Sequence, residues 1–122
     1  MSSAPSRKAQ AGLKGLDAYQ NALHFYRLVV SALAHLPRGH VQDQLTRAAE
    51  SVVLNVAEAH PALGADRARR FRIASDEASE CGAALDLLEI RGLLKAPVLG
   101  TLRDVLDRER AMLWRLSRPS RR

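Results

Sequence analysis

With 122 residues the chain has room for one hydrophobic core, and no internal repeat points to a second domain. Hydrophobic residues make up 47% but aromatics only 4%, so aliphatic side chains must build that core. A single cysteine, Cys81, excludes an intrachain disulfide and fits a reducing cytoplasm. No run of about 18 apolar residues argues for a membrane span, and the opening MSSAPSRKAQAGLKG lacks the apolar stretch of a secretory signal.

The net charge of +6 is unevenly placed. Residues 1–15 carry +3 and residues 108–122 carry +5, whereas 16–107 carry −2. The basic excess therefore sits at the two ends, which read equally as a contact for nucleic acid (RNA or DNA) or an anionic surface and as ragged basic termini without a partner.

Taken in order, residues 1–15 are rich in Ser, Ala, Gly and Lys without periodicity and read as a disordered basic lead-in. A helical bundle is expected over 16–117, with 118–122 as a basic tail. The first helix is predicted from about Asp17, whose carboxylate suits a helix start. Tyr19, Leu23, Tyr26, Val30 and Leu33 form its apolar seam, and Pro37-Arg38-Gly39 ends it.

A second helix runs from about Val41 to Ala59. Leu45, Ala49, Val52, Val56 and Ala59 make its seam, while Val53, Leu54 and Ala57 lie elsewhere on the helix. A helix apolar on more than one side has neighbours on more than one side, so these three are expected to form an oligomer interface. Ser51, Asn55 and Glu58 flank the seam as a polar row. An Asn and a Glu beside an apolar seam are costly to bury unpaired, so a register-fixing polar layer, with Arg70 or a loop amide as partner, is expected over a ligand site.

The loop 60–65 leads to Asp66, read as the N-cap of a third helix. There Phe71, Ala74, Ala78, Cys81, Leu85 and Leu88 keep a seven-residue repeat that fades near Gly92. Lys95-Ala96-Pro97 marks the next turn. The fourth helix, from about Val98 to Ser117, aligns Val98, Leu102, Val105, Met112 and Leu116, with Glu109 departing from that line. Four amphipathic helices of about 20 residues joined by short loops predict an all-α, antiparallel up-down-up-down four-helix bundle.

Chemistry is sparse. Bundle metal sites use Glu-x-x-His pairs, and no glutamate here is followed by such a histidine. Cys81 sits on an apolar seam with no histidine at helical spacing, and GLKG at 12–15 is too short for a phosphate loop. The expectation is therefore no enzyme, no cofactor and no metal. Arg67, Arg69, Arg70 and Arg72 crowd the start of the third helix against its dipole. That cluster is either a solvated face or an anion-binding edge. On the second reading it joins Arg108, Arg115, Arg118, Arg121 and Arg122 as the predicted nucleic-acid contacts, with the terminal segments expected to carry most of the binding. No aromatic cluster is visible, so such binding should be weakly sequence-selective.

The stretch Leu45-Thr46-Arg47-Ala48-Ala49-Glu50-Ser51-Val52-Val53-Leu54-Asn55-Val56-Ala57-Glu58 resembles the L-x-R-A-A-x-S-I-x-x-N-I-A-E-G signature of a bacterial four-helix bundle family. That family includes proteins encoded within intervening sequences of large-subunit ribosomal RNA genes. Tyr19 to Pro37, Phe71 to Glu80 and Leu85-Asp86 are similar to it as well, so the likeness spans about 16–116. Two departures stand out: the signature glycine is Ala59, and a Gly-Ser pair reads Asp76-Glu77. The resemblance implies a compact bundle and little chemistry. A related branch, the accessory variability determinants of diversity-generating retroelements, forms basic pentameric barrels that bind nucleic acid and a reverse transcriptase. By that analogy the expected function is a cytoplasmic, homo-oligomeric, non-enzymatic accessory protein with no membrane association. The competing expectation is a structural or protein-interaction bundle with no nucleic-acid role.

Overall fold

The computed structural model describes the backbone of residues 13–118 and the side chains of residues 17–118. Among the described residues there are four helices: α1 (Leu13–Leu33), α2 (His40–Ala59), α3 (Gly64–Ile90) and α4 (Ala96–Leu116). No strand occurs among the described residues. Each helix packs on its chain neighbours and α4 returns to α1, while the backbones of diagonal helices stay apart. The result is an all-α four-helix bundle of up-down-up-down order, with the α2–α3 wall the most extensive.

The core follows the seams of α2 and α3 closely. Leu45, Ala49, Val52, Val56 and Ala59 are buried, as are Phe71, Ala74, Ala78, Cys81, Leu85 and Leu88. In α1 the buried row is Ala18, Ala22, Phe25 and Val29, one residue round from the predicted seam. Tyr19, Tyr26 and Leu33 pack only partly against the core, and Val30 is 47% exposed. Both rows have helical spacing. The thinner one turns inward because its alanines let α1 approach its neighbours, which leaves the bulkier row along the α1–α2 edge.

Helix ends differ from expectation in three places. Already helical at Leu13, α1 encloses Asp17 rather than starting on it; Gly15 weakens a helix without breaking it. The N-cap of α3 is Leu63, and Gly64 has φ +59, a left-handed turn open to glycine. Asp66 consequently lies inside the first turn and is not the cap. The fourth helix begins at Ala96, with Pro97 in its first turn where the ring blocks no hydrogen bond.

Two stops are well built. After α3, Gly92 has φ +69, the Gly92 amide donates to Glu89 O at 2.9 Å and the Leu93 amide to Leu88 O at 3.0 Å. This is a Schellman ending, with Leu93 folding back on the core. Before α2, the buried Gln42 side chain donates Nε2 to Pro37 O at 3.1 Å. A Cβ on Gly39 would lie 2.6 Å from Gln42 Oε1, so a larger residue there would push the buried amide aside.

Candidate functional site

Antiparallel order gathers the start of α3 and the end of α4 at one end of the bundle, beside the start of α1. Segments 1–12 and 119–122 join the described chain at this same end. A cleft of about 490 Å³ opens here, lined by Arg67, Arg72 and Arg118 with Gly64, Ala65, Ala68 and Leu116. A smaller hollow of about 200 Å³ adjoins it at Asp17, Met112, Arg115 and Leu116. Arg67 and Arg118 are 51 residues apart in sequence, so only the fold brings them together.

The four arginines of α3 divide into two pairs. Arg69 Nη2 and Arg70 Nε donate to the Asp66 carboxylate at 3.1 and 3.2 Å, and Arg70 Nη1 also reaches Glu58 Oε1 at 3.2 Å. The guanidinium of Arg70, and then that of Arg69, hold the Asp66 carboxyl below its ordinary range. Most of the charge on that side is thus cancelled. Arg67 donates Nη1 to His60 O at 3.0 Å and lies 5.2 Å from the Phe71 ring centroid. Arg72 is exposed. Among the described residues neither Arg67 nor Arg72 has a carboxylate partner, and both face the cleft.

Two residues past the end of α4, Arg118 places its guanidinium 4.3 Å over the Trp114 ring and has no ion pair among the described residues. Arg115 borders the smaller hollow. Arg108 is exposed but lines neither cleft, two turns back along the helix. Arg121 and Arg122 lie outside the described residues, as does the expected lead-in up to residue 12.

The other predicted residues sit on α2. Val53 is half-buried and packs against the core, while Leu54 is 57% exposed and Ala57 is exposed. The outer face of α2 therefore presents Leu54 and Ala57 amid the exposed Asp43, Arg47 and Glu50, without Val53. In the polar row, Asn55 Nδ2 donates to Ser51 O at 2.9 Å and to Ser51 Oγ at 3.1 Å, one turn back. Glu58 is exposed and takes its bond from Arg70. Facing the row across the α2–α3 wall, the Glu77 carboxyl is pushed up, first by burial and then by the charge of Glu80.

Two buried polar groups were not singled out from the sequence as sites. Glu109 is 1% exposed and accepts a 2.9 Å bond from Asn21 Nδ2, which also donates to Val105 O at 3.1 Å. Its Oε2 has no partner. Burial pushes the Glu109 carboxyl up to about 7, and the Asn21 bond opposes the rise. The signal was its place on the apolar line of α4; its partner, 88 positions away, had none. Gln42 is the second, buried with Oε1 bare.

Little catalytic chemistry is assembled. Among the described residues no group of three or more His, Cys, Asp or Glu could hold a metal ion. The Cys81 thiol is pushed up to about 12, first by burial and then by Glu77 and Glu80, so it stays protonated and a poor nucleophile. No helix among the described residues is long and apolar enough to cross a membrane.

The crystal structure of a protein of unknown function from the S23 ribosomal protein family of Bacteroides thetaiotaomicron is similar, with a TM-score of 0.78 at 21% identity. The match covers 85% of this chain and 97% of that one, and at such identity it speaks for the fold. Among curated proteins none matches the sequence. The family model that matches covers residues 14–115, nearly all of the described bundle, and so the chain belongs to the 23S rRNA-intervening sequence protein family.

Proposed function

We propose that the protein is a non-enzymatic accessory factor that binds nucleic acid through the basic end of its bundle. The observation that carries this reading is the convergence of Arg67, Arg72 and Arg118, none with a carboxylate partner among the described residues, on one cleft. Paired surface arginines have little charge left to offer, whereas these three retain theirs for phosphate. The basic segments 1–12 and 119–122 add to the same end, so weak contacts reinforce one another. The family's name refers to 23S rRNA, which makes RNA the first nucleic acid to test. Between nucleic acid itself and a nucleic-acid enzyme such as a reverse transcriptase, the cleft favours nucleic acid, because unpaired guanidinium groups suit phosphate oxygens.

The test is RNA binding by fluorescence anisotropy across a salt series. Each phosphate contact removed should flatten the plot of log affinity against log salt, by about 0.9 on a duplex and about 0.7 on a single strand. Arg72→Gln combined with Arg118→Gln should flatten it and weaken binding, while Arg69→Gln, which removes an already paired charge, should change little. Unaltered binding by the double variant would place the contacts elsewhere and overturn this reading of the cleft; no binding by the wild type at low salt would put the protein-interaction reading ahead.

Self-association belongs to the same reading. Leu54 and Val30, 57% and 47% exposed, place apolar surface on the outer sides of α2 and α1. Light scattering should then give a mass above the 13.4 kDa of one chain, lowered by Leu54→Glu. A monomer in both cases rejects the oligomer.

A further inference from the structure

The basic cleft has an aromatic neighbour. Trp114, in the last turns of α4, is 57% exposed, and the guanidinium that covers part of its ring belongs to Arg118, itself a wall of the cleft. An indole left this open on the surface is free to make a contact that the bundle does not supply. Its surroundings narrow the choice of partner: Arg72 and Arg118, without carboxylate partners among the described residues, make this an electropositive place. An apolar peptide gains nothing from those charges. A duplex could use the charges but not the indole, since its bases are already stacked on one another. A single strand uses both, with phosphates for the guanidinium groups and an unpaired base face for the ring.

We propose that the cleft binds single-stranded nucleic acid, one unpaired base stacking on Trp114 while Arg118 turns to a flanking phosphate beside Arg72. The proposal rests on the nucleic-acid reading above and narrows it to strand type. Stacking is tolerant of base identity because every base has a π-face, so the site selects unpaired strands rather than a sequence.

Trp114 is the only tryptophan, so its emission reports on the site directly. The full chain is titrated with a single-stranded RNA of about 12 nucleotides. The same RNA annealed to its complement and inorganic polyphosphate, which has charge but no bases, serve as comparisons. The single strand should quench the emission and bind about tenfold or more tighter than the duplex. Trp114→Ala should weaken single-strand binding by a similar factor and leave duplex and polyphosphate binding unchanged. Trp114→Phe, which keeps an aromatic face, should recover most of the loss. The ring is exposed, so circular dichroism should show both variants folded. Salt-dependent RNA binding without quenching, equal for both strand types and untouched by Trp114→Ala, overturns the stacking site and leaves the nucleic-acid function standing. Absence of binding by either strand type removes both.

Discussion

The α2–α3 wall and the α1–α4 wall both carry polar residues, and the bundle treats them oppositely. On α2, Asn55 spends its amide on Ser51 one turn back, and Glu58 meets Arg70 at the surface. On α4, Glu109 is sealed from water, with one oxygen on Asn21 and the other bare. The row that catches the eye in the sequence is thus cheap. The residue that only interrupted a pattern is the strained one. Chemical type sets what a polar group can cost, and burial decides whether it costs it.

The largest effect should come from Glu109. Its folded carboxyl titrates near 7 against an ordinary 4.5, so between those values the folded state holds a proton that the unfolded state has lost. Stability from this residue is complete below about pH 4.5 and drains away as pH rises to about 7, a change on the order of 3 kcal/mol. Glu109→Gln, a neutral isostere, should erase that slope and be the more stable protein at about pH 8. Urea melts at three pH values measure it; parallel curves for both proteins would mean the carboxyl is solvated.

Asn21→Ala comes next. It strips the one donor from Glu109 and should cost about 1–3 kcal/mol. Since the Asn21 bond opposes the rise of the Glu109 carboxyl, its loss should also extend the falling limb above pH 7. A stability loss with no shift of that limb would separate packing from the hydrogen bond.

The smallest effect belongs to the other wall. Asn55→Ala removes bonds confined to one helical turn and should stay within about 0.5 kcal/mol. A loss above about 1 kcal/mol would show that Asn55 itself, and not only Glu58 through Arg70, is tied across to α3 and collapse the contrast between the walls.

Every seam residue that the periodicities of α2 and α3 predict is buried, with Gln42, Ala48 and Ala84 buried beside them, because a seam depends on neighbours within a turn. In α1 two adjacent rows compete. Nothing local tells Ala18-Ala22-Phe25-Val29 from Tyr19-Leu23-Tyr26-Val30, and only packing picks the first. The arginines show the same limit. Their number and their grouping at the start of α3 and near the C-terminus were legible, but not that Arg69 and Arg70 would be neutralised while Arg67 and Arg72 meet Arg118. Trp114 gave no signal at all, since exposure is not written in a lone aromatic.

What the sequence determined by itself was the helical bundle, its interior seams on α2 and α3, the family signature and a basic excess at both ends. These depend on spacing within a few residues or on simple sums of charge. The tertiary structure alone decided which side of α1 faces inward, that Asn21 meets Glu109, and that the first turns of α3 share a cleft with the end of α4. Those depend on how each helix is rotated about its axis and which end lies beside which, and rotation is set by the packing of all four helices at once.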